Sequence, residues 1–155
     1  MTIQESKSIG GKQILKAAFF LIVLYEISLL YKQTEGDFAN GMLFFLSIQT
    51  NGFFIMFIIA YFACMFLAGR QVGYIIFKTN KRNYSIAILY SFITTLLTIG
   101  LFFLTTFLAT YEESKNLSKQ EIMMDVLKMS LVLLIPMTLA WLWTVYRIKA
   151  KMGIT

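Results

Sequence analysis

Histidine is absent from the 155-residue sequence, and cysteine occurs once, at Cys64. Histidine is the commonest general base and the commonest transition-metal ligand. Its absence excludes a Ser/His/Asp triad, a Cys/His zinc site and axial haem ligation by histidine within one chain. A single cysteine cannot form an intramolecular disulfide. We therefore expect no enzyme activity, no catalytic residues, no metal site and no cofactor.

Charged residues are also scarce, at 14% of the chain, whereas 58% of residues are hydrophobic. A soluble domain of this size would have too few polar residues to cover its surface. Four long apolar runs account for the excess. The composition predicts an all-α polytopic membrane protein: a single four-helix transmembrane domain over residues 1–155, with no soluble domain.

The apolar runs set the expected bounds of the four membrane helices, since about 20 apolar residues cross a bilayer as a helix. Polar residues up to about Gly11 are expected to be flexible, and Pro136 is expected to kink the last helix. The sequence Ser118-Lys-Gln-Glu121 predicts a capping box, so the last helix starts outside the membrane. The expected helices cover residues of about 14–31, 41–68, 85–109 and 119–147.

Residues 41–68 form the longest run without a charge, and their first half contains several polar side chains. Amides near the middle of a bilayer are costly unless they have partners. One reading is a polar cluster that lines a pore or holds a ligand headgroup. The other is hydrogen bonding between helices that fixes their packing. The residues concerned are Ser47, Gln49, Thr50 and Asn51.

The third helix has a stripe of hydroxyl side chains at helical spacing, which includes Ser91, Thr94, Thr95, Thr98, Thr105 and Thr106. Such a face could line a water-filled path. Because these hydroxyls can also bond carbonyls of their own helix, packing against the polar residues of the second helix is the simpler expectation.

Glu26 is the only carboxylate within an expected span. An intramembrane acid suggests an ion or proton site. The alternative is that Glu26 lies near the outer end of its helix and reaches water or pairs with Lys32.

Small residues recur every fourth position on the second helix, at Ala60, Cys64 and Ala68, and a separate pair with the same spacing, Gly69 and Gly73, follows. Small residues let membrane helices approach closely. The row therefore predicts tight packing, either within the bundle or between subunits.

Basic residues are unevenly distributed between the segments that flank the spans. The amino terminus, the segment 70–82 and the carboxyl terminus hold ten of the fourteen Lys and Arg residues. The positive-inside rule then places both termini and the central loop in the cytoplasm of a multi-pass protein in the cell (inner) membrane. The net charge of +6 would face anionic lipid headgroups, so nucleic-acid binding is not needed to explain it.

These features favour a non-enzymatic membrane module that forms a homo-oligomer or joins a partner membrane protein. Its small size also suits an immunity, defence or toxin role in a bacterium. A homo-oligomeric ion-conducting pore is the first alternative. A membrane enzyme that acts on a lipophilic substrate is the second.

The predicted orientation can be tested by labelling single cysteines introduced at Lys81 and Glu113 in a Cys64→Ala background. Because the two positions lie in loops of opposite charge character, a membrane-impermeant maleimide should reach them from opposite sides. Labelling of both positions from the same side would contradict the orientation.

Overall fold

The computed structural model describes residues 1–33, 42–43, 46, 51–79, 84–109 and 119–153, with most of their side chains. These ranges contain four long α-helices and no strand. They are α1 (Ile3–Gln33), α2 (Gly52–Thr79), α3 (Tyr84–Ala109) and α4 (Lys119–Met152). Each of the four includes a stretch long and apolar enough to cross a membrane. The predicted all-α, four-helix membrane bundle is confirmed.

The helices pack in a ring in which each helix contacts its neighbours in the sequence, and α1 closes the ring against α4. The α1–α2 interface is the most extensive. We call the start of α1, the end of α2, the start of α3 and the end of α4 the terminal half of the bundle. The other end of the four helices is the distal half.

The first helix begins at Ile3, so the expected flexible segment up to Gly11 is wrong. Thr2 and Glu5 form a capping box: the Thr2 amide donates to Glu5 Oε2 at 2.8 Å, and the Glu5 amide donates to Thr2 Oγ1 at 3.2 Å. These bonds satisfy amides that have no partner within the helix. The sequence Thr-Ile-Gln-Glu is the same kind of start signal as the one expected before α4.

The second helix begins later than expected, because Asn51 is its N-cap and not a residue of its interior. Asn51 Oδ1 accepts a hydrogen bond from the Phe53 amide at 2.9 Å, and its carbonyl oxygen accepts from the Ile55 amide at 3.1 Å. Asparagine followed by glycine is a strong turn signal. The expected uninterrupted helix over residues 41–68 is therefore wrong at Asn51.

The helix then continues eleven residues past the expected end at Ala68, to Thr79. Arg70 and Gln71 lower the local hydropathy without ending the helix, because they occupy its exposed face. The last helix also runs further than expected and ends at Met152; the next residue, Gly153, has a φ of 66°, a left-handed conformation that glycine adopts easily. Pro136 lies within α4, and the kink expected there stays a prediction.

Most of the buried side chains of the described residues belong to the terminal half. Trp141, Val145 and Ile148 of α4 are fully buried there and pack with Ile14 of α1 and Val72 of α2. Outside this core the helices expose many large apolar side chains, as expected for surfaces that contact lipid rather than water.

The backbones of α1 and α2 come into direct contact at three glycines. A Cβ atom added to Gly10 would lie 2.9 Å from the Gly73 Cα atom, and one added to Gly69 would lie 2.7 Å from the Gly10 carbonyl oxygen. No side chain fits at these distances. The predicted close approach through Gly69 and Gly73 therefore occurs within one chain, with Gly10 as its partner.

We expect Gly10→Ala to lower the stability of the bundle by at least about 1–3 kcal/mol, because the new methyl group must separate two backbones. Gly100→Ala is the matched control, since it is also a helical glycine and a Cβ there would meet nothing within 4 Å. Alanine favours a helix over glycine, so the control should be neutral or slightly more stable. Thermal unfolding in detergent measures both. An equal effect of the two variants would contradict the contact.

Candidate functional site

The hydroxyl stripe of α3 lies against α4, where Thr94 is its central residue. Trp141 Nε1 donates a hydrogen bond to Thr94 Oγ1 at 2.8 Å, and both residues are buried. The Thr94 hydroxyl in turn donates to the Tyr90 carbonyl oxygen at 2.6 Å. The Tyr90 ring packs on Trp141, with 5.5 Å between the ring centroids. The indole N–H, which would be costly to bury alone, is satisfied in this way.

A second bond between the same two helices joins Thr138 and Ser91. Thr138 Oγ1 lies 3.1 Å from Ser91 Oγ and also 2.7 Å from the Leu134 carbonyl oxygen of its own helix. The Ser91 hydroxyl donates to the Ile88 carbonyl oxygen at 2.7 Å. In both inter-helix bonds the hydroxyl of α3, that of Thr94 or of Ser91, is also bonded to a carbonyl oxygen of its own helix.

Packing of the stripe against Ser47 and Thr50 stays a prediction, because these two residues lie outside the described part of the structure. The described inter-helix hydrogen bonds of the stripe go to α4, whereas Asn51 is exposed at the start of α2 and caps that helix. The Thr98 hydroxyl stays within α3 and donates to the Thr94 carbonyl oxygen at 2.7 Å. Thr95 Oγ1 is buried and has no hydrogen-bond partner among the described residues.

The other predicted polar sites are only partly described. Glu26 is half-buried on the distal part of α1. Thr105 belongs to α3, but its side chain lies outside the described part of the structure, as do the residues Ser47, Gln49 and Thr50. The structure therefore does not bring Glu26, Asn51 and the α3 stripe together into one described site. In the part of the chain that is described, no three His, Cys, Asp or Glu residues are placed to hold a metal ion.

The row Ala60, Cys64 and Ala68 lies beside the tightest face of α2 rather than on it. All three residues are half-buried. The buried row is one position further round the helix, and it includes Tyr61, Met65, Gly69 and Gly73. The backbone contact with α1 is made by Gly69 and Gly73, and the packing role of Ala60, Cys64 and Ala68 stays a prediction.

A cavity of about 580 Å³ lies in the distal half and is lined by residues of all four helices. Its lining is mostly apolar, and Lys128 is the one charged residue among the described residues that line it. Its volume falls within the range of about 300–1,000 Å³ that is usual for small-molecule sites. The described residues that line it include Ile22, Phe57, Tyr61, Ile99, Phe102 and Pro136.

Sequence reasoning missed Thr138 and Trp141 as partners of the stripe. Both lie 47 residues after the residue that they contact, but this equal separation is not a signal that the sequence offers. Antiparallel helices do not preserve such a spacing along their length, so the pair of contacts could only have been suggested by the polar character of Thr138.

Comparison of the chain with protein-family models, with curated proteins and with solved structures gives no match.

We expect Thr94→Val to lower the stability by about 1 kcal/mol, because it leaves the buried Trp141 N–H without an acceptor. Thr98→Val is the matched control, because it makes the same change of side chain. The Thr98 hydroxyl bonds a carbonyl oxygen of its own helix. Thermal unfolding in detergent compares the two. If Thr98→Val is as destabilising as Thr94→Val, the bond between α3 and α4 does not contribute.

Proposed function

We propose that the protein is a non-enzymatic membrane module that acts by assembling, either with further copies of itself or with a partner membrane protein. The observation that carries this proposal is the cavity in the distal half. The cavity opens onto the lipid-facing surface of the bundle, since Leu24, Tyr25 and Val132 among its lining residues are exposed. A space of about 580 Å³ has the volume of roughly twenty water molecules, and its lining is apolar. Such a space suits an apolar group supplied from outside the four helices.

The arrangement of the polar groups gives less support to the pore alternative. A pore would need the α3 hydroxyls to face a water-filled path. Ser91 and Thr94 instead lie buried against α4, where they bond Thr138 and Trp141. The enzyme alternative has a cavity for a lipophilic substrate, but its described lining supplies Lys128 and the hydroxyls of Tyr25, Tyr61 and Thr98 without a carboxylate or histidine to act as a base.

Our proposal includes an orientation and a location for the module. We infer that the terminal half faces the cytoplasm and that the protein is an integral multi-pass protein of the cell membrane. The support is the excess of Lys and Arg in the segments at that end of the bundle. A role in bacterial immunity, defence or toxin action would fit a module with so little mass outside the membrane.

The mass and composition of the tagged protein, extracted gently from its native membrane, test the proposal. We expect an assembly of fixed stoichiometry, heavier than the 17.9 kDa chain. Ile58→Trp should weaken that assembly, since Ile58 lines the cavity and the larger side chain occupies its volume. Ile88→Trp is the control, because Ile88 is exposed in the terminal half.

A monomer that binds no other protein would overturn the proposal. A homo-oligomer would call for a flux assay in liposomes. If the liposomes show ion flux, and Glu26→Gln or Thr98→Val changes that flux, the pore is favoured instead. If Ile58→Trp and Ile88→Trp both leave the assembly intact, the cavity is not part of the interface.

A further inference from the structure

A groove of about 480 Å³ lies on the surface of the bundle, separate from the distal cavity. Its polar side chains belong to the terminal parts of α1 and α2, and its apolar ones to α2 and α3. We call it the lateral groove. Its polar residues are Lys7, Arg70 and Gln71, and its apolar lining includes Cys64, Leu67 and Leu97.

The two cations of the lateral groove are each held against an aromatic ring. Lys7 Nζ lies 5.1 Å from the centroid of the Tyr74 ring, and Arg70 Cζ lies 5.7 Å from that of Phe66. Phe66, Arg70 and Tyr74 follow one another at four-residue spacing, so they share one face of α2. Cation–π contact fixes the position of a flexible side chain while leaving N–H groups free to bind an anion.

Gly11 of α1 allows this arrangement. A Cβ atom at Gly11 would lie 2.7 Å from the Phe66 Cδ2 atom and 3.2 Å from the Arg70 Cγ atom. The absence of a side chain therefore lets the Phe66 ring and the stem of Arg70 lie directly on α1. Because the Arg70 side chain is already held in place, binding an anion costs less of its conformational entropy.

The lateral groove changes from charged to apolar along α2. Cys64 is six residues before Arg70, which is about 9 Å along the helix axis toward the middle of the span. Leu67 and Leu97 continue the apolar lining, and the described lining contains two positive charges and no acid. A ligand that matches this surface has an anionic end and a hydrocarbon end.

We propose that the lateral groove binds one anionic phospholipid, with its phosphate on Lys7 and Arg70 and an acyl chain along Cys64, Leu67 and Leu97. Basic pockets between membrane helices are suited to acidic headgroups, and the apolar lining adds burial of hydrocarbon. The inference does not rest on assembly of the protein. It concerns a different surface from the distal cavity, so the two proposals can fail independently.

Native mass spectrometry of the full chain in detergent tests the proposal. It measures the binding of phosphatidylglycerol and of phosphatidylcholine. We expect one tightly bound phosphatidylglycerol per chain and weaker binding of phosphatidylcholine. Arg70→Gln should weaken phosphatidylglycerol binding about fivefold, since one Lys or Arg near an anionic surface has about that effect. Lys7→Gln should act similarly.

The matched control for Arg70 is Arg147→Gln, because Arg147 is also an arginine stacked on an aromatic ring, 5.6 Å from the Trp143 centroid, but lies on α4. Lys12→Gln is the control for Lys7, as an exposed lysine of the same helix. Both controls should retain the binding of the unmodified chain. Equal weakening by test and control variants would show general charge attraction and would overturn the site.

Two further measurements address the chemistry of the ligand. Inorganic phosphate should not displace the lipid; displacement by phosphate would identify a soluble-anion site and overturn the proposal. Phosphatidylglycerol, but not phosphatidylcholine, should slow alkylation of the single cysteine, Cys64, by N-ethylmaleimide. This readout uses the unmodified chain, so it applies even if a variant fails to fold. An unchanged alkylation rate would place the lipid elsewhere.

Discussion

The backbone contact between α1 and α2 at Gly10, Gly69 and Gly73 is the constraint on which the terminal half depends. Without side chains at these positions, two helices approach more closely than leucine or phenylalanine would allow, and dispersion contacts accumulate along the interface. The same approach brings Ile14 against α2 and allows Phe66 and Arg70 to lie on Gly11. Tight packing of α1 against α2 and the geometry of the lateral groove therefore have one cause, the close approach of the two helices at their glycines.

The interface between α3 and α4 uses different forces. It is joined by hydrogen bonds from Trp141 to Thr94 and from Thr138 to Ser91. Apolar side chains gain little from leaving lipid for another helix, so backbone proximity and polar contacts must hold membrane helices together. The bundle has one interface of each kind, and both are concentrated in the terminal half. The distal half contains the large cavity.

Hydropathy predicts the four spans because it is summed over some twenty residues, and errors at single positions average out. It fails at the helix ends, which depend on single side chains: Thr2 with Glu5 extends α1, and Asn51 starts α2. Periodicity identified the polar face of α3 but not the helix that this face meets, since spacing along one helix does not identify its neighbour. Gly10 and Gly11 suggested flexibility because glycine permits it, and only their contact with α2 shows a rigid role.

Uneven packing along the bundle axis also determines where the protein is compressible. Volume can be removed only where it is not already filled by atoms, so hydrostatic pressure acts mainly on internal voids. In this molecule a space of about 580 Å³ lies between the helices of the distal half, whereas the glycine contact leaves no room between α1 and α2 in the terminal half. A change in bilayer thickness or lateral stress would therefore be taken up more readily by the distal half than by the interface of α1 and α2 in the terminal half.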